Sequence, residues 1–534
     1  MNKNKQINLA WLPFGYSYSM PLSLGYVKAI LNKNDYTNVK VYDMNQDFWV
    51  KNNMKVGNTH FYDRYQTLLQ NVTSWNNPEN YYSKIHTLSG VKELIDEYAD
   101  ILLTDNPKIV GFCLFNTNIW FTIEVCKVLK VKNPDVKIIV GGPEATVTYH
   151  DKNHKLREVL QDDIIDVVVF GEGDITVVEV CDTIMKDEYD YENILGIFYR
   201  GKDGEIKNTI WRPFISDIDT VPIPDYSDID FSKYEQPEIP IVMSRGCNYG
   251  CIYCGVKLYW GKAKDFRKRS AQNIMDEIIK LEKDGCFPPD KFNFVSFKAA
   301  YINTGMSFND DTILNDLCDL LIERYGKNEV PFQWAGYARV DKNLTPELCK
   351  KMYLAGCHHL TFGFESGSAR INKEMRKGYN FKDYNNDYAV SVFKNCMENG
   401  VMPVLFLIIG YPTETEEDFQ KTMKFLKDSR KYIDAVYCMS TFILSKEMMS
   451  EDPKWGKERF HLRSARGGGG DMVEDLHAVE WESEVNTYEE RVRRLEEFKK
   501  YSEEVGLTSI TPRLPDDAIA QSTPDGTPLQ VLEE

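Results

Sequence analysis

Short apolar runs alternate with helical stretches twice along the chain, and this alternation restricts the fold to parallel sheets wrapped by helices. In the first series INLAWLP (7–13), VKVYDM (39–44), KIVGFCLF (108–115), VKIIVGG (136–142) and IDVVVFG (165–171) read as strands. Between and after them, 21–33, 88–104, 119–132, 151–161 and 174–187 read as helices or partial helices. A doubly wound, Rossmann-like α/β domain over 1–190 is expected, with ligands at the carboxyl ends of its strands. The segment 45–87 breaks the rhythm with Phe48, Trp49, Phe61, Tyr62, Tyr65, Trp75, Tyr81 and Tyr82. It reads as a cover for the sheet edge or as a wall of a ligand pocket.

Residues 191–238 read as a connector, because 212–238 is rich in Pro and Asp and lacks periodicity. The second series occupies 239–441. Strands are expected at 239–244, 292–297, 332–337, 358–364, 402–409 and 434–441, with helices at 270–284, 311–324, 345–354, 367–375, 384–399 and 416–429. These βα repeats predict a partial (β/α)6 barrel. Residues 442–534 form an α-rich C-terminal extension with GGGG at 467–470, a charged helix near 487–505, and a tail from about 513 that is expected to be mobile.

Composition narrows the function. The chain has 534 residues, 43% hydrophobic and 27% charged, which suits a large folded core. Its formal charge of −17 repels phosphate backbones, so nucleic acid is not an expected partner. The strongest apolar stretch, Val404 to Gly410, is well short of the ~20 residues of a membrane span. The first twenty residues are interrupted by Asn8, Pro13 and Gly15, which argues against a signal peptide. Twelve cysteines without an export signal point to a reducing compartment, and a cytoplasmic location is expected.

Directly after the first strand of the second series comes SRGCNYGCIYCG, which puts Cys247, Cys251 and Cys254 on one short loop. Soft thiolates at this spacing suit an iron-sulfur cluster or zinc. Tetrahedral zinc wants a fourth ligand, and the nearest following cysteine is Cys286. Three ligands on a four-iron cluster leave one iron open to a small molecule. The loop also follows a barrel strand, on the face where barrel enzymes carry their chemistry.

CNYGCIYC, with aromatic Tyr253 before the third cysteine, resembles the signature of the radical S-adenosylmethionine (SAM) superfamily. WAGYARVD (334–341), AGCHHLTFGFESGS (355–368) and FLIIGYPTET (406–415) resemble the later strands of its elongated subgroup. The resemblance implies that the three cysteines hold a 4Fe-4S cluster whose open iron chelates SAM. An electron entering the cluster would then release a 5′-deoxyadenosyl radical. It further implies main-chain contacts around Tyr253 to adenine, and Arg339 and Glu365 near the SAM carboxylate and ribose. FNFVSFKAAYIN (292–303) lacks the acidic residue that relatives often place after the second strand, so Ser296 or Lys298 is a candidate to line the site.

In the first domain PLSLGYVKAIL (21–31), VYDMN (41–45), GGPEAT (141–146) and GEGD (171–174), in this order before such a barrel, resemble the cobalamin-binding domain of that class. A corrinoid would lie near Asn116, Thr117, Gly141, Gly142, Pro143, Glu144, Gly171, Glu172 and Gly173. A cobalt-ligating D-x-H-x-x-G motif is absent; the nearest match, DLHAVE (475–480), ends in Glu480, and His477 reads as structural.

The expected function is therefore a cobalamin-dependent radical SAM enzyme, a C-methyltransferase acting on an unactivated carbon. A radical ring contraction, cyclisation or other rearrangement without methyl transfer is the alternative. A non-catalytic iron-sulfur or zinc-binding redox or interaction protein is the alternative of another class. Expected partners are a small-molecule or peptide substrate and an electron donor such as flavodoxin or ferredoxin. RNA methylthiolation is disfavoured by the charge and by the wide spacing of Cys113, Cys126 and Cys181, which read as core residues.

Overall fold

A computed structural model describes residues 2–13, 20–51, 78, 81–87, 90–151, 154, 156–234, 238–247, 249–261, 263–287, 294–298, 311–340, 343–377, 386–439, 463–464 and 481–510. They fall into two compact units that part between Glu238 and Ile239.

In the first unit β1 (Ile7–Trp11), β2 (Val39–Asp43), β3 (Ile109–Cys113), β4 (Lys137–Gly141) and β5 (Val167–Val169) all pair in parallel, in the order β2-β1-β3-β4-β5. β-Branched residues such as Val110, Ile138, Val140, Val167 and Val168 are fully buried, as expected of strands covered on both faces. Helices Leu22–Lys33, Val91–Leu103, Ile119–Lys132 and Gly173–Met185 supply the cover. The strand order reverses between β1 and β3, which is the switch point where sheets of this topology open to ligands.

Two expectations change here. Within the helix expected over 151–161 only Leu156–Val159 is α-helical, followed by a 3-10 turn at Leu160–Asp162, and an unanticipated helix, Pro143–His150, precedes it. Pro143 at the first helical turn starts the helix straight after β4, and extended Asp151 ends it. The connector expected over 191–238 is part of the first unit, which therefore extends past 190. β6 (Ile197–Arg200) pairs antiparallel with β5, and β7 (Ile206–Asn208) pairs antiparallel with β6. The chain then folds back: Lys28 Nζ donates to Asp228 at 2.6 Å, Gln46 Nε2 donates to Lys233 O at 2.6 Å, and Tyr234 OH donates to Asp43.

From the aromatic segment, Phe48, Trp49 and Tyr81 are buried in the core of this unit beside Tyr98. Phe61, Tyr62, Tyr65 and Trp75 lie outside the described residues. At Gly142 the backbone has φ +104°, and a Cβ would sit 2.8 Å from Leu114 O and 2.9 Å from Cys113 Sγ. Gly142→Ala is therefore expected to cost about 1–3 kcal/mol of stability, measurable by urea unfolding.

The second unit begins with β8 (Glu238–Val242) and a hairpin of β9 (Ser244–Arg245) with β10 (Arg267–Lys268). It continues through β11 (Phe294–Lys298), β12 (Gln333–Ala338), β13 (Cys357–Glu365), β14 (Met402–Ile408) and β15 (Ala435–Met439). A short antiparallel pair, β16 (Arg463–Ser464) with β17 (Trp481–Glu482), precedes β18 (Thr508–Ile510). The seven-stranded sheet runs β18-β15-β14-β13-β12-β11-β8, and β11 to β15 and β18 are parallel.

The six βα repeats of the expected partial barrel are present. Ser270, Thr345, Ser368 and Thr415 cap the following helices by accepting from backbone N–H groups, which fixes where four of the repeats turn from loop to helix. The seventh strand, β18, was not anticipated. Helix Tyr488–Glu504, close to the charged helix expected there, carries it to the edge of β15. The tail from 511, which includes the stretch expected to be mobile, lies outside the described residues, as does GGGG at 467–470.

Candidate functional site

The loop that follows β8 and β9 is turned by Gly246 at φ +86°. Cys251 is buried, and Cys247 and Cys254 are half-buried. Cys254 N donates to Cys251 O at 3.3 Å, and Ile252 N donates to Met375 O at 3.1 Å, which fastens the loop to the segment after β13. Burial pushes the Cys254 thiol up to about 12, with Cys251 adding to the rise, and burial raises Cys247 as well. Thiols in such surroundings ionise when a metal centre compensates their charge. Among the described residues no three His, Cys, Asp or Glu side chains are arranged to hold a single ion. Three thiols carried on one short loop suit a cluster that takes each thiolate on a different iron.

Three of the anticipated residues converge on this loop. Arg339 follows β12; its guanidinium lies over the Tyr249 ring at 3.5 Å, and Nη1 donates to Cys251 Sγ at 3.7 Å. Glu365 closes β13 at φ +70°, beyond a register shift after Gly363. A non-glycine residue in that region is strained and persists only where neighbours hold it. Here Lys377 Nζ donates to Glu365 Oε1 at 2.6 Å, and Tyr253 OH donates to the same oxygen at 2.9 Å. Lys377 Nζ also donates to Tyr253 OH at 2.8 Å, closing a triangle. A Cβ at Gly363 would lie 2.5 Å from Lys377 Nζ and 2.9 Å from Glu365 Oε1, so a larger residue there would push this pair aside.

Lys377 was missed by sequence reasoning, since a basic residue just past a short helix reads as an ordinary helix end. Tyr253, expected to act through its main chain, also commits its phenol to Glu365 and Lys377. Ser296 and Lys298 lie on β11, with Ser296 opposite Ala335; their side chains are outside the described residues.

The loop after β14 is built by the C-terminal extension. Gly410 turns it at φ +93°. Asn486 Nδ2 donates to Tyr411 O at 2.8 Å, Ser483 Oγ to Pro412 O at 2.5 Å, and Arg494 Nη1 to Glu414 O at 3.0 Å. The buried Glu414 carboxylate accepts from Gly410 N at 2.8 Å and lies 3.5 Å from Arg494.

Burial pushes the Glu414 carboxyl up to about 7 from the usual glutamate value of 4.5. A raised acid binds its proton more tightly in the native state. Its contribution to stability is therefore complete below about 4.5 and lost as pH rises through about 7. Glu414→Gln is expected to remove that part of the decline, up to about 3 kcal/mol, in unfolding curves taken across this range.

At the carboxyl edge of the first unit, Asn116 is exposed and Thr117 half-buried after β3. Asn118, which was not anticipated, joins the two strand ends at the switch point. Its side chain accepts from Phe115 N at 2.9 Å and donates to Leu12 O at 3.4 Å and Cys113 O at 3.2 Å. Gly141, Gly142 and Pro143 are half-buried at the end of β4. Glu144 Oε1 is 2.6 Å from His154 Nε2, whose Nδ1 is 3.0 Å from Thr148 Oγ1.

The fold itself occupies the end of β5. Gly171 N donates to Thr146 Oγ1 at 3.0 Å, and a Cβ there would meet the Trp211 ring at 3.0 Å. Glu172 is 3% exposed and accepts from Ile215 N at 2.8 Å, and Gly173 starts a helix. Of the anticipated residues at this edge Asn116 is exposed and Thr117, Gly141, Gly142 and Pro143 are half-buried, with the carbonyls of Gly141 and Gly142 accepting from Leu114 N and Thr146 N. Sheets of this topology take ligands at the carboxyl ends of their strands beside the switch point. His477 lies outside the described residues.

Comparison with known proteins bears on both units. A family described as B12 binding domain matches residues 84–181, and the Radical SAM superfamily matches residues 311–426. An uncharacterised methyltransferase of Pyrococcus horikoshii is 30% identical over 336 residues, 62% of this chain and 66% of that protein. The anaerobic magnesium-protoporphyrin IX monomethyl ester cyclase of Rubrivivax gelatinosus is 25% identical over 351 residues, 62% of this chain and 56% of that one. The chain thus spans somewhat less than two thirds of these relatives. Among solved structures, the radical SAM methyltransferase TsrM of Kitasatospora setae, with cobalamin and a 4Fe-4S cluster bound, shares the fold. The TM-score is 0.59 at 14% identity, covering 88% of this chain and 78% of that one.

Proposed function

Because the chain joins a B12-binding domain to a radical SAM domain, we propose that it is a cobalamin-dependent radical SAM enzyme that methylates an unactivated carbon of a small-molecule or peptide substrate. The observation that carries this reading is the loop of three buried or half-buried thiols, with Arg339 donating to Cys251 Sγ.

Cys247, Cys251 and Cys254 would hold a 4Fe-4S cluster, which with SAM supplies the 5′-deoxyadenosyl radical. The strand-end edge at Asn116, Thr117 and Gly141–Pro143 would take cobalamin, which supplies the methyl group. Arg339 brings a fixed positive charge to Cys251 Sγ, which favours the thiolate form that would ligate iron. Lys377 and Tyr253 hold Glu365 in one orientation, ready to accept hydrogen bonds from ribose hydroxyls. Glu414 and the C-terminal residues that bind its loop fix the carboxyl end of β14. Burial of these groups keeps water from a site that must protect a carbon radical. Among the described residues no helix is long and apolar enough to cross a membrane.

Cyclisation without methyl transfer is the second reading, favoured by the likeness to the ester cyclase. Anaerobic incubation with methyl-labelled SAM, reductant, cobalamin and candidate extracts separates the two. Label on product carbon supports methylation; 5′-deoxyadenosine with an unlabelled product supports rearrangement. A zinc-filled protein inert toward SAM overturns both.

A further inference from the structure

Tyr249 stands midway in the C-x3-C spacer, two residues after Cys247 and two before Cys251, on the loop that Gly246 turns. Its ring faces the Arg339 guanidinium at 3.5 Å from the centroid, and Arg339 Nη1 donates to Cys251 Sγ at 3.7 Å. The main chain of the same residue reaches the first thiol. Burial raises Cys247, and a backbone hydrogen bond from Tyr249 and the charge of Arg339 oppose that rise. A residue outside the set of three thiols is thus in touch with two of them, with Cys247 directly and with Cys251 through Arg339. Among the described residues no carboxylate pairs with Arg339. An arginine side chain has wide rotamer freedom, and stacking on an aromatic face both fixes and partly desolvates it. Because the ring is carried by the loop that carries the thiols, seat and sulfur keep their spacing.

From this we infer that Tyr249 is a positioning residue whose ring seats the Arg339 guanidinium on Cys251 Sγ and thereby makes a cluster held by this loop easier to reduce. The inference rests on the enzyme reading above. A cluster that gains one electron and no proton becomes more negative by one charge, and an N–H donor or a positive charge at a ligating sulfur stabilises that state more than the oxidised one. The seat therefore acts on the electron affinity of the centre without touching iron.

The test reconstitutes the full chain with iron and sulfide and follows a redox titration by electron paramagnetic resonance, without SAM. At a fixed ambient potential the ratio of reduced to oxidised cluster is expected to be about threefold or more lower in Tyr249→Leu, and lower still in Arg339→Leu. Tyr249→Phe keeps the ring and should titrate with the wild type. Adding Tyr249→Leu to Arg339→Leu should change nothing further, since the ring acts only through the guanidinium. A Tyr249→Leu ratio equal to that of the wild type overturns the inference, as does a Tyr249→Phe ratio as low as that of Tyr249→Leu or a further fall in the double variant. In the cluster-free chain the urea midpoints of the same single and double variants should be non-additive; additive shifts also overturn the seat. A chain that takes up no iron overturns the enzyme reading instead, and the urea midpoints still decide whether Tyr249 seats Arg339.

Discussion

Cys251→Ala is expected to abolish release of 5′-deoxyadenosine from SAM, a loss of at least about a thousandfold, with iron content falling in step. Cys251 is the buried thiol of the three, and it is the one that accepts from Arg339. Removing it takes away an iron ligand and leaves the guanidinium facing an apolar methyl. The folded chain should survive, because exchanging a buried thiol for a methyl loses little volume and no strong hydrogen bond. Cys286→Ala is the matched control: Cys286 is fully buried and is the nearest following cysteine, so it should keep iron and activity. Iron assay and anaerobic product analysis on both variants check this. Retention of a full cluster in Cys251→Ala would mean that the loop is not its cradle.

Lys377→Met is expected to be the most damaging single change to stability near the site, about 3–5 kcal/mol by urea unfolding. Lys377 and Glu365 have side chains only 9% and 8% exposed, and no other cation lies within ion-pairing distance of Glu365 among the described residues. The substitution strands a buried carboxylate in a left-handed backbone that its partner helps to hold. Adding Glu365→Gln removes the stranded charge, so the double variant should recover much of the loss. SAM affinity should stay low in both. A double variant as unstable as the sum of the two single variants would show that the pair is not coupled.

Much of this architecture could be read from local patterns. Runs such as IDVVVFG and KIVGFCLF announce buried parallel strands because β-branched and aromatic residues fill both faces, and all five early strands lie where those runs fall. β6 and β7 escaped because IFYR and IKN are too short and too polar to show a period. Helix Pro143–His150 escaped because Gly-Gly-Pro reads as a break, although proline at a first helical turn begins one.

The three cysteines stand out by their spacing, and the family resemblance singles out Arg339 and Glu365, which the fold brings to that loop. Lys377, Asn118 and Arg494 do not stand out, because what makes each matter is a partner brought close by the fold. Arg494 meets Glu414 from eighty positions away, and no local pattern records that.

That distance governs the order in which the protein can be assembled on the ribosome. When the chain has been translated through β14, the carbonyls of Tyr411, Pro412 and Glu414 still await donors from Asn486, Ser483 and Arg494. The loop after β14 is therefore completed late, after most of the sheet of the second unit has been synthesised. A nascent chain that stalls before Ser483 would carry the cysteine loop and β14 with these three carbonyls still unmatched.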